Sequence, residues 1–418
     1  METINTPVAA ETSCRSCSAP LSRSFVDLGM SPLCESFIGP DQLDSAEAFF
    51  PLHALICDSC LLVQLKEYVA PQNIFSEYAY FSSYSDSWVE HARRYCNAMI
   101  ERFQLGADSL VMEIASNDGY LLQHFVAAGV PCLGIEPAKN VAAVAVAAGI
   151  PTQVDFFGSA LAVQLAQTPG QPDIIVGNNV LAHVPQLNDF VLGMKTLLAP
   201  TGVITLEFPH LLQLMQHNQF DTIYHEHFSY LSLQVVEQCF SRHALTVFDV
   251  EELTTHGGSL RVYVRHAQHD ALAVTAAVSA LREREQQLGL GSLAAYQDFA
   301  QQVIETKHKL LSFLIQAKAD GKSVVGYGAP GKGNTLLNYC GIRTDFLDYT
   351  VDRSPHKQGL FTPGTHIPIK HPDEILRTQP DYVLILPWNL ADEICEQMAV
   401  IREWGGQFVI PIPEVRVL

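Results

Sequence analysis

Ser109-Leu-Val-Met-Glu113-Ile-Ala115-Ser-Asn117-Asp118-Gly119 runs from an apolar stretch into a tight polar turn. The apolar part, 109–115, predicts a strand covered on both faces, because a short continuous run of large aliphatic side chains suits a buried parallel sheet. A turn at 116–119 and a helix over 120–128 follow. The same unit recurs downstream. Residues 132–135 predict a second strand that ends at Glu136 before Pro137, and further strands are expected at 152–156, 173–176, 203–208, 245–250 and 259–265. Strands that alternate with helices build a doubly wound sheet. The connection between the last two runs is short enough for an antiparallel hairpin.

Ligands of such sheets bind beyond the carboxyl ends of the strands. The chain places Glu113, Ala115, Asn117 and Gly119 there, then Glu136, then Asp155, Phe156 and Phe157, then Asn178 and Asn179. A carboxylate at a strand end, about 20 residues past a glycine turn, suits a ribose diol. This order fits the class I S-adenosylmethionine-dependent methyltransferases. Ala115 and Asn117 stand where that class often has glycine, a loss that harms a nucleoside sulfonium less than a pyrophosphate, which needs glycines to approach a helix start.

The remaining bulk properties narrow the class. A chain of 418 residues predicts two or three domains, and 48% hydrophobic residues suffice for packed cores. The net charge of −19 and the lack of any basic stripe argue against nucleic acid as a partner. The longest apolar run, 141–150, is too short for a membrane span, and the amino terminus lacks the pattern of a signal peptide. A soluble, cytoplasmic protein is expected, with no membrane partner; oligomeric state is not legible.

Two tight cysteine pairs, Cys14-Arg-Ser-Cys17 and Cys57-Asp-Ser-Cys60, stand apart from the six scattered cysteines. Each pair offers two thiolates from one turn, and together they complete a tetrahedral all-sulfur site for zinc. With no open coordination position, the zinc is expected to be structural. Gly29, Pro32 and Pro40 punctuate the gap between the pairs, predicting a small, loop-rich module with a poor core.

Beyond a mostly helical stretch, 270–319, a second α/β unit begins with a strand at 323–327 and Gly328-Ala-Pro-Gly331-Lys332-Gly333. Gly326, Gly328 and Gly331 satisfy G-x-G-x-x-G, and a strand at 349–351 ends at Asp352. Taken alone this is a dinucleotide pattern, so an NAD(P)-dependent oxidoreductase is the alternative reading. Lys332, Arg353, His356 and Lys357 gather cations near one sheet edge, suited to a pyrophosphate. A strand at 381–386 leads to Trp388 and Asn389, an aromatic and an amide able to hold a base or sugar.

The densest chemistry lies at Tyr224-His225-Glu226-His227-Phe228. In a helix Tyr224 and His227 share a face; in a strand His225 and His227 share one face and Tyr224 and Glu226 the other. Either geometry offers a base with an oriented partner. Polar helix-capping with histidines satisfied by backbone is the competing structural reading, and metal ligation by His225 and His227 lacks a third ligand.

Together, the CxxC pairs, Glu113–Gly119, Asn179-Val-Leu-Ala-His183, Tyr224–Phe228, Gly326–Gly333 and Lys357–Gly364 resemble the C-methyltransferases of nucleotide-activated keto-deoxysugars over essentially the whole chain. The resemblance implies a zinc module at 1–72, an S-adenosylmethionine domain at 73–268 and a carboxy-terminal α/β domain at 269–418 that helps bind the sugar nucleotide. It implies TDP-linked 4-keto-hexoses of deoxysugar and antibiotic biosynthesis as substrates, with methyl entering at C-3 or C-5. It also implies that Tyr78, His183, Tyr224, Glu226 and His227 surround the reacting carbon. Among these His227 is the first choice as base, because imidazole titrates near neutrality without special burial.

Overall fold

The computed structural model describes residues 12–69 and 81–418. The amino-terminal part is a sheet of β1 (Arg23–Ser31), β2 (Phe50–Ile56) and β3 (Val63–Leu65), joined as antiparallel neighbours. It is better built than the cysteine gap suggested. Phe25, Leu52 and Ile56 are buried in one apolar cluster with Phe299, Leu310 and Leu337 from the carboxy-terminal part. The Phe25 ring stacks on Phe299 at 4.6 Å. The module thus borrows its core from a neighbour, which a local reading of its own residues does not reveal.

The central sheet holds β4 (Val111–Ile114), β5 (Cys132–Ile135), β6 (Thr152–Gln153), β7 (Ile174–Asn178) and β8 (Val203–Pro209). After the two-residue β9 (Ser229–Tyr230), which pairs back with β3, come β10 (Leu245–Leu253) and β11 (Ser259–His266). The order is β10-β11-β8-β7-β4-β5-β6. β4 to β8 run parallel, and β11 enters antiparallel between β8 and β10. The chain reverses direction across the sheet between β4 and β7, and ligands of open α/β sheets lodge in the crevice at that switch.

The carboxy-terminal sheet comprises β12 (Val324–Tyr327), β13 (Thr350–Val351), β14 (Ile369–Lys370), β15 (Tyr382–Ile385), β16 (Gln407–Ile410) and β17 (Arg416–Val417). Its order, β14-β13-β12-β15-β16-β17, is parallel except for β17. The long helix Phe299–Ala319 leads into β12, and Gly331–Cys340 follows it. A bridge between Ile38 and Phe361 ties the amino-terminal part to this domain. No helix among the described residues is long and apolar enough to cross a membrane.

Candidate active site

A cavity of about 460 Å³ opens where the three parts meet: Glu35 enters from the first, Glu136, His183 and His227 from the second, and Lys332 and Lys357 from the third. Its floor is the carboxyl edge of the central sheet. Ala115 and Asn117 sit at φ of 57° and 50°, in the left-handed region that favours glycine. The turn therefore keeps the conformation that glycine would adopt freely, at a cost of roughly 1–2 kcal/mol for alanine and less for asparagine. Asn117 also has a use no glycine could supply. Its Oδ1 accepts the Ser82 N–H at 2.9 Å while Asp118 accepts that of Ser83 at 3.0 Å, so the turn holds a neighbouring segment over the cavity.

Glu136 is buried at the end of β5. One carboxyl oxygen accepts the Asn117 N–H at 2.9 Å and the other that of Ala138 at 2.8 Å, which fixes its plane and leaves each oxygen a lone pair for a ribose hydroxyl. Burial pushes its pKa up. Both polar atoms of the buried Asn178 side chain lack a partner among the described residues. Because Asn178 also lines the cavity, its amide is open to the polar groups of a ligand. Asp155, Phe156, Phe157 and Asn179 line the same end, joined by Trp88 and Tyr120, which sequence reading passed over. Trp88 lies on the helix Asp86–Phe103, where nothing in the local sequence separates a cavity residue from a core one. Glu113 and Gly119 are not among the lining residues. Glu113 lies inside β4, where burial and then Glu136 and Asp118 push its carboxyl far up, and a Cβ on Gly119 would meet Ile150 at 2.3 Å.

The opposite wall carries the histidine segment, which is neither helix nor strand. A short turn, Phe220–Thr222, precedes it and β9 follows. His225 turns away toward the Pro51 carbonyl at 3.3 Å, so it shares no metal site with His227. His227 Nδ1 lies 2.8 Å from the Thr222 carbonyl. A carbonyl only accepts, so Nδ1 carries the proton and Nε2 keeps the free lone pair. Contrary to the sequence expectation, this imidazole is strongly buried. Burial, then His183 nearby, drives its pKa well below 6.5, so it is neutral throughout the neutral range. The Tyr224 ring lies 4.0 Å from it and the His183 ring 4.7 Å, centroid to centroid. His183 is pushed down to about 4 by burial. Glu226 lines the cavity beside them and accepts from the Cys34 thiol at 3.7 Å. Tyr78 lies outside the described residues. His256 is a lining residue that sequence reading missed, within 3.2 Å of the Asn179 amide, and the adjoining Gly257-Gly258 pair was its only sequence signal.

At the third wall, Lys332 opens the helix Gly331–Cys340 and donates to Asn389 Oδ1 at 2.8 Å. Lys357 pairs with Glu35 at 3.2 Å and donates to the Ala329 carbonyl at 3.0 Å. The expected gathering of cations is only partly realised. The Arg353 side chain is 67% exposed beside Glu393, and the His356 ring stacks on Tyr84. Trp388 and Asn389 do not line the cavity. The Trp388 N–H donates to Asp221 at 2.7 Å and its ring faces Lys332. In the glycine turn, Gly331 lines the cavity, a Cβ there would meet Cys34 Sγ at 2.9 Å, and Asp352 accepts the Ala329 and Ser354 N–H groups, both at 2.8 Å.

The four cysteine sulfurs of Cys14, Cys17, Cys57 and Cys60 lie within 4.8 Å of one another. Zn–S bonds of about 2.3 Å in a tetrahedron place sulfurs about 3.8 Å apart, so the cluster fits one structural zinc. Gln64 Nε2 donates to Cys14 Sγ at 3.2 Å, the outer-sphere support such ligands use. None of the four cysteines lines the cavity.

Strand order, the Glu136 cradle and the orphaned Asn178 amide together define a class I methyltransferase that uses S-adenosylmethionine. Models of three families match the chain: a putative zinc binding domain at residues 14–75, a methyltransferase domain at 88–250 and a C-methyltransferase C-terminal domain at 254–413. The C-methyltransferase NovU of Streptomyces niveus is 36% identical over 97% of this chain and 96% of its own length. The chain therefore belongs to the S-adenosylmethionine-dependent C-methyltransferases with an amino-terminal structural zinc, and the oxidoreductase alternative falls. Among solved structures, a methyltransferase from Anabaena variabilis is 15% identical over 42% of this chain and 85% of its own, with a TM-score of 0.35. One from Clostridium acetobutylicum is 10% identical over 42% and 91%, with a TM-score of 0.34. Likenesses this weak carry no weight beside the strand order itself.

Proposed function

We propose that the enzyme methylates a carbon next to the ketone of a TDP-linked 4-keto-deoxysugar, with C-3 favoured over C-5, through an enolate formed by His227 with Tyr224 beside it. The observation that carries this reading is the His227 tautomer: Nδ1 donates to the Thr222 carbonyl at 2.8 Å, which leaves Nε2 as a proton acceptor on a cavity wall. A carbon acceptor, unlike an oxygen or nitrogen, has no lone pair and must first lose a proton, so C-methylation demands such a base. When bound, S-adenosylmethionine supplies an electrophilic methyl group, and Glu136, Asn178 and the turn at Ala115 are the residues that would hold it.

The sugar's place follows from charge. Lys332, Lys357 and the start of the helix Gly331–Cys340 form the cationic end of the cavity, suited to a diphosphate. His183, Tyr224, Glu226 and His227 line the same cavity as Glu136 and the two lysines, and the ketose ring would sit against them. His227 Nε2 removes the proton, and His183 or the Tyr224 hydroxyl donates to the oxygen as the enolate forms. Burial disfavours the imidazolium in the free protein, a cost that the negative charge of the enolate forming beside it offsets, and burial also keeps water from returning the proton to the carbon.

Solvent deuterium exchange at the sugar carbon, followed by NMR without methyl donor, isolates proton abstraction from methyl transfer. His227→Ala should lose a factor on the order of 10²–10⁴ in exchange while still binding TDP. Exchange at the parental rate in His227→Ala but not in Tyr224→Phe would transfer the role to Tyr224. Normal exchange in both would refute this assignment of the site.

A further inference from the structure

The segment that carries His227 is gripped from outside the central sheet. Asp221 immediately precedes Thr222, whose carbonyl orients the His227 imidazole. The Asp221 side chain is 0% exposed. Its Oδ2 accepts the Trp388 indole N–H at 2.7 Å, and its Oδ1 has no partner among the described residues. Trp388 follows β15 of the carboxy-terminal sheet, and the face of its ring lies 4.6 Å from Lys332 Nζ. On the other side of Thr222, the Ile223 carbonyl accepts from Thr335 Oγ1 at 3.2 Å, on the helix that Lys332 opens. The carboxy-terminal domain thus holds both neighbours of the one carbonyl that sets the base.

Stability alone does not account for this contact. Burial pushes the Asp221 carboxyl up to about 6 against the pull of Lys332, and replacing buried polar pairs by packed apolar groups is often neutral or stabilising. A directional bond between a rigid indole and a carboxylate fixes position in a way apolar packing does not. We infer that the Trp388–Asp221 hydrogen bond is a positioning link that aims His227 by fixing the Thr222 carbonyl and ties that aim to the domain presenting Lys332. The inference rests on His227 being the base. Asp221 and Trp388 act through Thr222 and touch no substrate. Through them, a sugar nucleotide seated at Lys332 reaches the base by a chain of direct contacts.

The test compares Trp388→Phe, which removes the donor but keeps an aromatic face, with Asp221→Ala and Asp221→Asn, each against His227→Ala. Trp388→Phe and Asp221→Ala should slow deuterium exchange roughly 10- to 100-fold, since misplacement by about 1 Å costs on that order. In Trp388→Phe, whose ring still faces Lys332, kcat should fall while KM for the sugar nucleotide stays within about threefold, the pattern of an interaction that matters in the transition state and not in binding. Asp221→Asn keeps a carbonyl acceptor for the indole and should recover most of the exchange rate. Parental exchange in Trp388→Phe, with His227→Ala inactive, would overturn the link and leave the base standing. Parental exchange in His227→Ala would remove the base reading and this inference with it. An Asp221→Asn variant as slow as Asp221→Ala would also overturn it, because charge and not the hydrogen bond would then be what matters.

Discussion

Lys332 should make sugar-nucleotide capture fail at a pH where lysines normally remain charged. Burial lowers its pKa from 10.5 to about 8, only partly opposed by Asp221. It also stands at the amino-terminal end of the helix Gly331–Cys340, where the helix dipole disfavours a cation. The negative charge of a bound diphosphate offsets both penalties, so the free protein should show the depressed value and the complex should not. With a pKa of about 8, Lys332 passes from about 90% charged at pH 7 to about 10% at pH 9, and kcat/KM for the sugar nucleotide should fall about tenfold. A lysine left at 10.5 would lose about 3% of its charge over that span. Because kcat reports the bound state, it should lack this limb. Initial rates from pH 6 to 10, with a parallel titration of TDP by calorimetry, measure both quantities. In Lys332→Arg, whose guanidinium keeps its charge, the limb should disappear even if the rate is lower. Constant kcat/KM up to pH 9, or an unchanged limb in Lys332→Arg, would refute the assignment of Lys332 to the diphosphate.

Glu136→Ala should weaken S-adenosylhomocysteine roughly 10- to 100-fold by calorimetry, since hydrogen bonds to a charged group contribute about 1.5–3 kcal/mol; unchanged affinity would move the ribose elsewhere. TDP affinity should stay near parental in that variant. Elemental analysis should find one zinc per chain, and Cys57→Ser should lower both zinc content and Tm, because a site of four thiolates contributes folding energy directly. Near-parental zinc in Cys57→Ser would remove that residue from the ligand set.

The inner strands β4, β7 and β8 could be read from the chain because they are covered on both faces and so are nearly continuous apolar runs with no competing helical period, whereas the strand expected at 152–156 shortens to the half-buried Thr152–Gln153. Glu136 and the cysteine pairs were equally legible, since strand-end chemistry and CxxC spacing are local. What escaped depends on distant neighbours. β1 reads Arg-Ser-Phe-Val-Asp-Leu-Gly-Met-Ser with register shifts against β2, so its buried and exposed positions do not alternate cleanly. Glu35, Trp88 and His256 reach the cavity from segments whose own sequence carries no ligand-binding pattern. Arg353 and Lys357 sit four residues apart on one loop, yet only Lys357 turns inward, held by the Ala329 carbonyl and Glu35.

The segment from Asp221 to Tyr230 shows why local periodicity left helix and strand open. Its backbone polar groups are buried, and a buried irregular backbone must find partners elsewhere. All three parts of the molecule supply them. The Phe228 N–H donates to the Ala182 carbonyl of the central domain at 2.7 Å, and the Leu65 N–H of the zinc-bearing part donates to the Phe228 carbonyl at 3.0 Å. Thr335 of the carboxy-terminal domain binds the Ile223 carbonyl. Arg15, between the first two zinc ligands, lies 5.3 Å over the Phe228 ring and also reaches the Pro185 carbonyl on the cavity wall. The zinc site therefore supports the histidine segment without lining the cavity, by holding the turn from which Arg15 extends. The proposed base, its segment held by three separate supports, keeps one tautomer and one direction only while all three are assembled. The histidine segment is thus conspicuous for its side chains in the sequence, and its geometry is legible only in the folded whole.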